Sequence, residues 1–176
     1  MKNFQQLIAA LKENSKANYK GILSQAKLSS DELLPYLNYS PACYTRNLVH
    51  RSAEFELLVL CWGRGQVTPI HDHAGSDCWM LGLNGEVEEL QYSLLREEGA
   101  QCRVKVAGAT PAQSGNVCFI NDTINLHSIR NTYPGPSATL HLYSPPIATC
   151  LYFHETLCEM KPRHLKNYSE FGRILA

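Results

Sequence analysis

From Pro41 onward the chain breaks into short apolar runs of strand length with no helical stretch between them. CYTRNLVH (43–50), FELLVLCW (55–62), CWMLGLNG (78–85), EVEELQYSL (86–94), NVCFIND (116–122), LHSIRN (126–131) and ATLHLYS (138–144) are rich in β-branched, aromatic and aliphatic residues. Gly, Pro, Asn and Asp punctuate them, as in LNGE, INDT and NTYPGPS, where the backbone must turn. Many short strands without intervening helices imply a sandwich or a small barrel. The first forty residues differ. Phe4, Leu7, Ile8 and Leu11 recur at the spacing of one helix face. A second short helix is expected around Tyr19 to Ala26. A third is signalled by SSDELLPYL, with Ser30 as cap, Asp31 and Glu32 in the first turn, and Pro35 limiting its length. The expected architecture is mainly β, in one domain: a helical N-terminal cap over residues 1–40, then a β-barrel and C-terminal tail over residues 41–176.

Other classes are disfavoured. The 176 residues carry 16 basic and 16 acidic side chains, interspersed, so nothing points to nucleic acid or an anionic membrane surface. The start, MKNFQQLIAALKENSK, is too polar for the apolar centre of a signal peptide. No apolar run approaches the ~20 residues of a membrane span, and a cytoplasmic location is expected. The 7 cysteines are odd in number and widely spaced, which argues against a disulfide framework, and the absence of CxxC argues against a zinc knuckle. Cys61, Cys102 and Cys118 lie in strand-like runs and read as small buried hydrophobes. The neutral, patchless composition is compatible with a monomer.

Residues 65–85 read GQVTPIHDHAGSDCWMLGLNG. On a strand, His71 and His73 at i and i+2 face the same side and could share one metal, while Asp72 points away as a surface or turn residue. His127, in the separate run LHSIRN, is the best third ligand. Imidazole alone does not choose among Fe, Zn, Cu and Ni. A lone histidine is more often a surface or satisfied core residue, but the spacing around this pair raises its weight. Gly65, five residues, His71-x-His73, four residues, Cys78, six residues and Gly85 follow the first motif of the cupins, with cysteine in the slot that normally holds glutamate. Gly115 and the pair His127 and Asn131 form a partial second motif, one residue longer inside and lacking its usual Pro and Gly. The fold expected from these motifs is a cupin-type small β-barrel, or jelly roll. Without the carboxylate, three neutral imidazoles would leave a divalent ion its full charge, which favours an anionic, chelating substrate such as a thiolate.

YTRNLVHR, CWGRGQVTPIHDHAGSDCWMLGLNG, CFINDTINLHSIRN and LHLYSPP, in that order, resemble the cysteine dioxygenase family of cupins from about Tyr44 to Cys150. The helical N-terminus and the EFG near the end are also similar. The resemblance implies one Fe(II) per chain on His71, His73 and His127, with L-cysteine and O2 as substrates and cysteine sulfinate as product, as in cysteine catabolism and taurine biosynthesis. It implies that Arg46 pairs with the substrate carboxylate near Tyr44. Cys78 and Tyr143 match a pair that forms a thioether in animal-type members, and His141 matches a histidine bonded to that tyrosine hydroxyl. Trp62 matches a wall residue and Cys150 a cysteine near the pocket.

Two departures stand out. Thr139 replaces a serine but keeps a hydroxyl, and Cys78 stands where many bacterial relatives have glycine. Physical chemistry is consistent with these roles. Arg46 offers a rigid, always-charged fork, although an arginine in a strand more usually forms a structural salt bridge. Thr139, His141 and Tyr143 alternate along TLHLYS and can share one face. The rival readings are a dioxygenase of another small thiol such as 3-mercaptopropionate, whose relatives often carry glutamine at the Arg46 position, a non-catalytic metal-binding cupin, and a zinc or nickel cupin with isomerase or hydrolase chemistry.

Overall fold

A computed structural model of the chain describes residues 1–96 and 102–175. Helix α1 (Phe4–Lys12) starts at Asn3, whose side chain accepts from the Gln6 N–H at 2.8 Å, and it buries Phe4, Leu7 and Leu11. Helix α2 (Tyr19–Ser24) ends two residues before the expected Ala26 and buries Tyr19 and Leu23. Helix α3 (Ser30–Leu33) is capped one residue earlier than expected. Ser29, with extended backbone, accepts from the Glu32 N–H, so Ser30 is already helical. Pro35 follows in a 3-10 turn, Leu34–Tyr36, as its missing N–H requires. No helix among the described residues is long and apolar enough to cross a membrane.

The strands are β1 (Thr45–Arg51), β2 (Glu56–Trp62), β3 (Asp77–Asn84), β4 (Glu86–Arg96), β5 (Cys102–Gln113), β6 (Val117–Ile120), β7 (Leu126–Asn131), β8 (Ser137–Ser144), β9 (Thr149–His154), β10 (Glu159–His164), β11 (Ser169–Glu170) and β12 (Arg173–Ile174). Seven form one sheet in the order β12-β11-β1-β2-β8-β3-β6. Facing it, β5-β4-β7 and β9-β10 are linked through residues 67–71, which bridge Val67 to Arg130 and His71 to both His127 and Tyr152. The result is a mainly β, cupin-type jelly roll of two facing sheets, not a closed barrel.

β2 and β8 are buried on both faces of the large sheet, so β2 reads as an apolar run, while β8 alternates leucines with Thr139, His141 and Tyr143 although all of its residues are buried. Leu57, Val59 and Cys61 of β2, Trp79 and Leu81 of β3, and Leu140 and Leu142 of β8 meet the helices through Phe4, Leu7, Leu11, Tyr19 and Leu23. The intervening residues Leu58, Leu60, Trp62, Cys78, Met80 and Tyr143 face the opposite sheet. The period of two therefore sorts each strand into a structural face and a face toward the interior. Among the cysteines read as small hydrophobes, Cys61 and Cys102 are buried and Cys118 is half-buried. Of the strands absent from the apolar runs, β9 buries Cys150 and Phe153 and β11 buries Ser169, while β10 is half-buried to exposed. β5 is largely exposed and is held by main-chain pairing in a long hairpin with β4.

Candidate active site

His71 lies in an extended segment, not in a strand. Its N–H donates to the His127 carbonyl at 2.9 Å and the His127 N–H returns to the His71 carbonyl at 3.0 Å, so the backbone sets these two residues opposite each other. On the other side the Phe153 N–H donates to the Ile70 carbonyl and the Asp72 N–H to the Leu151 carbonyl. Asp72 faces away and acts as a turn residue, its carboxylate accepting from the Leu151 N–H at 2.8 Å and the Ala74 N–H at 3.3 Å. The chain then reverses through Ala74 and Gly75, both with positive φ, into β3. Ala74 tolerates φ 49°, while Gly75 at φ 80° meets the demand without a side chain.

The side chains of His71, His73 and His127 converge, with ligand nitrogens all within 4.8 Å of one another. His127 Nδ1 lies 2.7 Å from Glu89 Oε1 and His71 Nδ1 lies 2.9 Å from the Pro69 carbonyl. Those acceptors call for a proton on each Nδ1, which turns the Nε2 lone pairs inward. Asp122 stands 3.3 Å from His73 Nδ1 but is too poorly aligned to be a hydrogen bond, and its carboxylate accepts instead from the N–H groups of His73 and Gly75, each at 2.6 Å. The Nε2 atoms of His73 and His127 face each other at 3.0 Å. Burial pushes His71 down to about 3, with His73 adding to the shift, and it holds His127 well below the ordinary imidazole range. Neutral imidazoles aimed at one point are what a divalent transition metal requires, so the donor set fits such an ion. Cys78 is buried nearby but is not part of this cluster, and burial drives its thiol far above the ordinary value.

One pocket beside the histidines is lined by Tyr44, Arg46, Trp62, His141, Tyr143 and Cys150 among others. The Tyr44 and Trp62 rings stack at 4.9 Å. Arg46 is only 6% exposed, and its guanidinium carbon lies 5.6 Å from the Tyr143 ring centre. Its Nη2 is 3.4 Å from Glu56 Oε1, while its buried Nε has no partner. The same Glu56 accepts closer bonds from Arg51, at 2.6 and 2.9 Å. Arg46 therefore does join a structural salt bridge, but a long one that leaves donors unused.

A relay runs along the inner face of β8. The Trp62 indole donates to Thr139 Oγ1 at 2.9 Å, Thr139 Oγ1 lies 2.9 Å from His141 Nε2, and His141 Nδ1 lies 3.3 Å from the Tyr143 hydroxyl. An indole N–H can only donate. The Thr139 proton then has His141 Nε2 as its acceptor, so His141 carries its proton on Nδ1 and gives it to the Tyr143 oxygen. This tautomer is assigned from the network. Burial, helped by Arg46, pushes His141 down to about 3 and keeps it neutral, and burial holds Tyr143 well above the phenol range. Cys78 and Tyr143 are direct partners across β3 and β8, with the Cys78 sulfur 4.0 Å from His141 Nδ1.

Sequence reasoning missed Glu89, Asp122, Glu56, Tyr152 and Arg163. Glu56, the one charged residue in FELLVLCW, was a readable signal of a buried partner. Glu89 is one of three acids in EVEELQYSL, Asp122 closes its run at a turn and Arg163 lies in the polar tail, so none of these charges signals a buried partner by itself.

Residues 3–156 match the family described as cysteine dioxygenase type I. The chain is 30% identical over 155 residues to cysteine dioxygenase type 1 of Homo sapiens, covering 87% of this chain and 76% of that protein. It is 28% identical to the Danio rerio protein of the same name, covering 87% and 77%. Among solved structures, an RmlC-like cupin protein from Desulfovibrio desulfuricans superimposes with a TM-score of 0.51 at 23% identity, over 69% of this chain and 100% of that one. A Klebsiella pneumoniae protein with a double-stranded β-helix domain does so with 0.51 at 18%, over 64% and 86%. These two speak for the fold alone.

Proposed function

The chain belongs to the cysteine dioxygenase type I family, and from that premise we propose that it holds one Fe(II) on His71, His73 and His127 and oxidises L-cysteine with O2 to L-cysteine sulfinate. It is a thiol dioxygenase. The observation that carries the residue assignment is the meeting, in one pocket, of inward-facing neutral imidazoles with a buried arginine that has an unused donor.

Iron(II), when bound, supplies the electrons that activate O2 and the Lewis acidity that ionises the substrate thiol. Three neutral ligands leave the ion's charge uncompensated, so an anionic chelating thiol is favoured over a neutral one. Arg46 takes the carboxylate with the donors that Glu56 leaves free, which orients the sulfur. Tyr143 accepts from His141 and so keeps its own phenol proton available to an anion in the pocket. Leu60, Ile129 and Ile147 on the walls limit water, which strengthens every charge interaction inside. Cys78 and Tyr143 are assigned a thioether between the sulfur and the ring carbon beside the hydroxyl. Two hydrogens leave, and the O2 used by the enzyme is the oxidant. Their opposed register supports that bond. The sulfinate product fits a role in cysteine catabolism and taurine formation, and a cytoplasmic monomer is proposed as the working form.

The test is O2 uptake by Fe(II)-loaded protein with L-cysteine, 3-mercaptopropionate and cysteamine in parallel, with products identified by mass. L-cysteine should give the sulfinate. Arg46→Gln should lower kcat/KM for L-cysteine by about tenfold to a hundredfold, from the ~1.5–3 kcal/mol of a hydrogen bond to a charged group. Uptake with another thiol only would keep the metal site and replace the substrate. No uptake with any of them would turn the assignment to a non-catalytic metal-binding cupin.

A further inference from the structure

Arg163, on β10, lines the same pocket as Arg46. It stands opposite Cys150 in the β9–β10 register, in the smaller sheet, whereas Arg46 comes from β1 in the large one. The pocket therefore has a guanidinium from each sheet. Arg163 also lines a wider cleft that continues outward and is bordered by His164 and Lys166. No Asp or Glu lines either space. Among the described residues Arg163 has no ion pair or hydrogen bond from its side chain, unlike Arg46, part of whose fork is engaged by Glu56. Its charge reaches the pocket. Burial raises Tyr44, and Arg46 and Arg163 are the groups that oppose the rise.

Two cations without a carboxylate between them leave a deficit that one anion can fill. A substrate carboxylate has two oxygens and about four lone-pair sites, enough for two forks. Arg46 can satisfy part of that capacity with Nε and its free Nη hydrogens, and Arg163 can take the rest from the mouth. We propose that Arg163 is a second carboxylate-binding residue, which brackets the α-carboxylate with Arg46 and sets the preference for thiols that carry a carboxylate. The inference rests on the thiol dioxygenase reading and goes beyond it, because it concerns which thiols are held. Since Arg163 is exposed at the mouth, its contribution belongs to binding and not to the rate of the chemical step.

The experiment compares Arg163→Met and Arg163→Lys with the wild-type holoenzyme, by steady-state kinetics and by anaerobic calorimetry with L-cysteine, 3-mercaptopropionate and cysteamine as probes. Arg163→Met should raise KM and Kd for the two carboxylate-bearing thiols roughly fivefold, the scale of an exposed ion pair, with kcat for L-cysteine changed less than about twofold. Cysteamine should be unaffected, and Arg163→Lys should recover part of the loss. Unchanged Kd for L-cysteine, or an equal loss for cysteamine, would overturn the proposal. A wild-type holoenzyme that binds L-cysteine without oxidising it would sink the dioxygenase reading instead, and the calorimetric comparison would still decide Arg163.

Discussion

Glu56 has no exposed surface, yet it accepts from Arg51, from Arg46 and from the Ile147 N–H. Its closer bonds go to Arg51, so Arg46 is kept in place without being saturated. That division is what lets a buried arginine remain a binding group. A second residue-scale feature is the facing of Cys78 and Tyr143. If the two are joined, denatured wild-type protein runs as two bands on a gel, and the faster is absent from Cys78→Gly. One band of equal mobility in both would remove the thioether and leave the metal site standing. At this scale much of the site was legible. His71, His73 and Cys78 stand at a spacing that has meaning along the chain, while His127 was the best third ligand on offer and the roles of Arg46, His141 and Tyr143 were legible through the resemblance to the family. Glu89 and Asp122 were not, because an acid that orients an imidazole is defined by what folds against it. Glu89 becomes a partner of His127 only through the pairing of β4 with β7.

Among the elements, β3 makes a close approach to the chain around Gln113. An added Cβ on Gly82 would stand 2.2 Å from the Gln113 carbonyl oxygen, while the Gly82 backbone exchanges bonds with Gly115 and Asn116. The contact is backbone on backbone, so nothing flexible can yield. Gly82→Ala should lower stability by about 2 kcal/mol, in the range of overpacking a tight interior, as read by urea unfolding. A change within a few tenths of wild type would mean that the strand shifts freely. In the large sheet β1, β2, β3, β6 and β8 were legible as runs rich in apolar residues, whereas its two-residue edge strands β11 and β12 fell within the expected C-terminal tail. β5, β9 and β10 were not legible, since their residues are mostly polar or exposed and their existence rests on main-chain pairing. The histidine segment was expected as a strand. It is an extended connection bridged on both sides, a state that shares the strand's period of two.

For the molecule as a whole, stability should depend on acid through its buried histidines. His141 is held to about 3 by burial and by Arg46. Below the ordinary imidazole value of ~6.5 the unfolded chain takes a proton that the folded one refuses, so this contribution is complete above ~6.5 and is lost as pH falls toward 3. Metal-free protein, kept so with a chelator, should lose up to about 1.4 kcal/mol per pH unit from this one group over that window. His141→Gln should show a shallower decline in a pH series of urea unfolding curves. Parallel curves for the two proteins would contradict the assignment.

Strand β8 gives Leu140 and Leu142 to the helices and Thr139, His141 and Tyr143 to the pocket. A slip of one residue would exchange the two sets, setting leucines against the imidazoles and a histidine against the helical cap. The molecule cannot misregister this strand and keep its chemistry. The register that seals the core under the helices is thus the same one that aims the hydroxyl and imidazole groups of β8 into the pocket, so the two are assembled together.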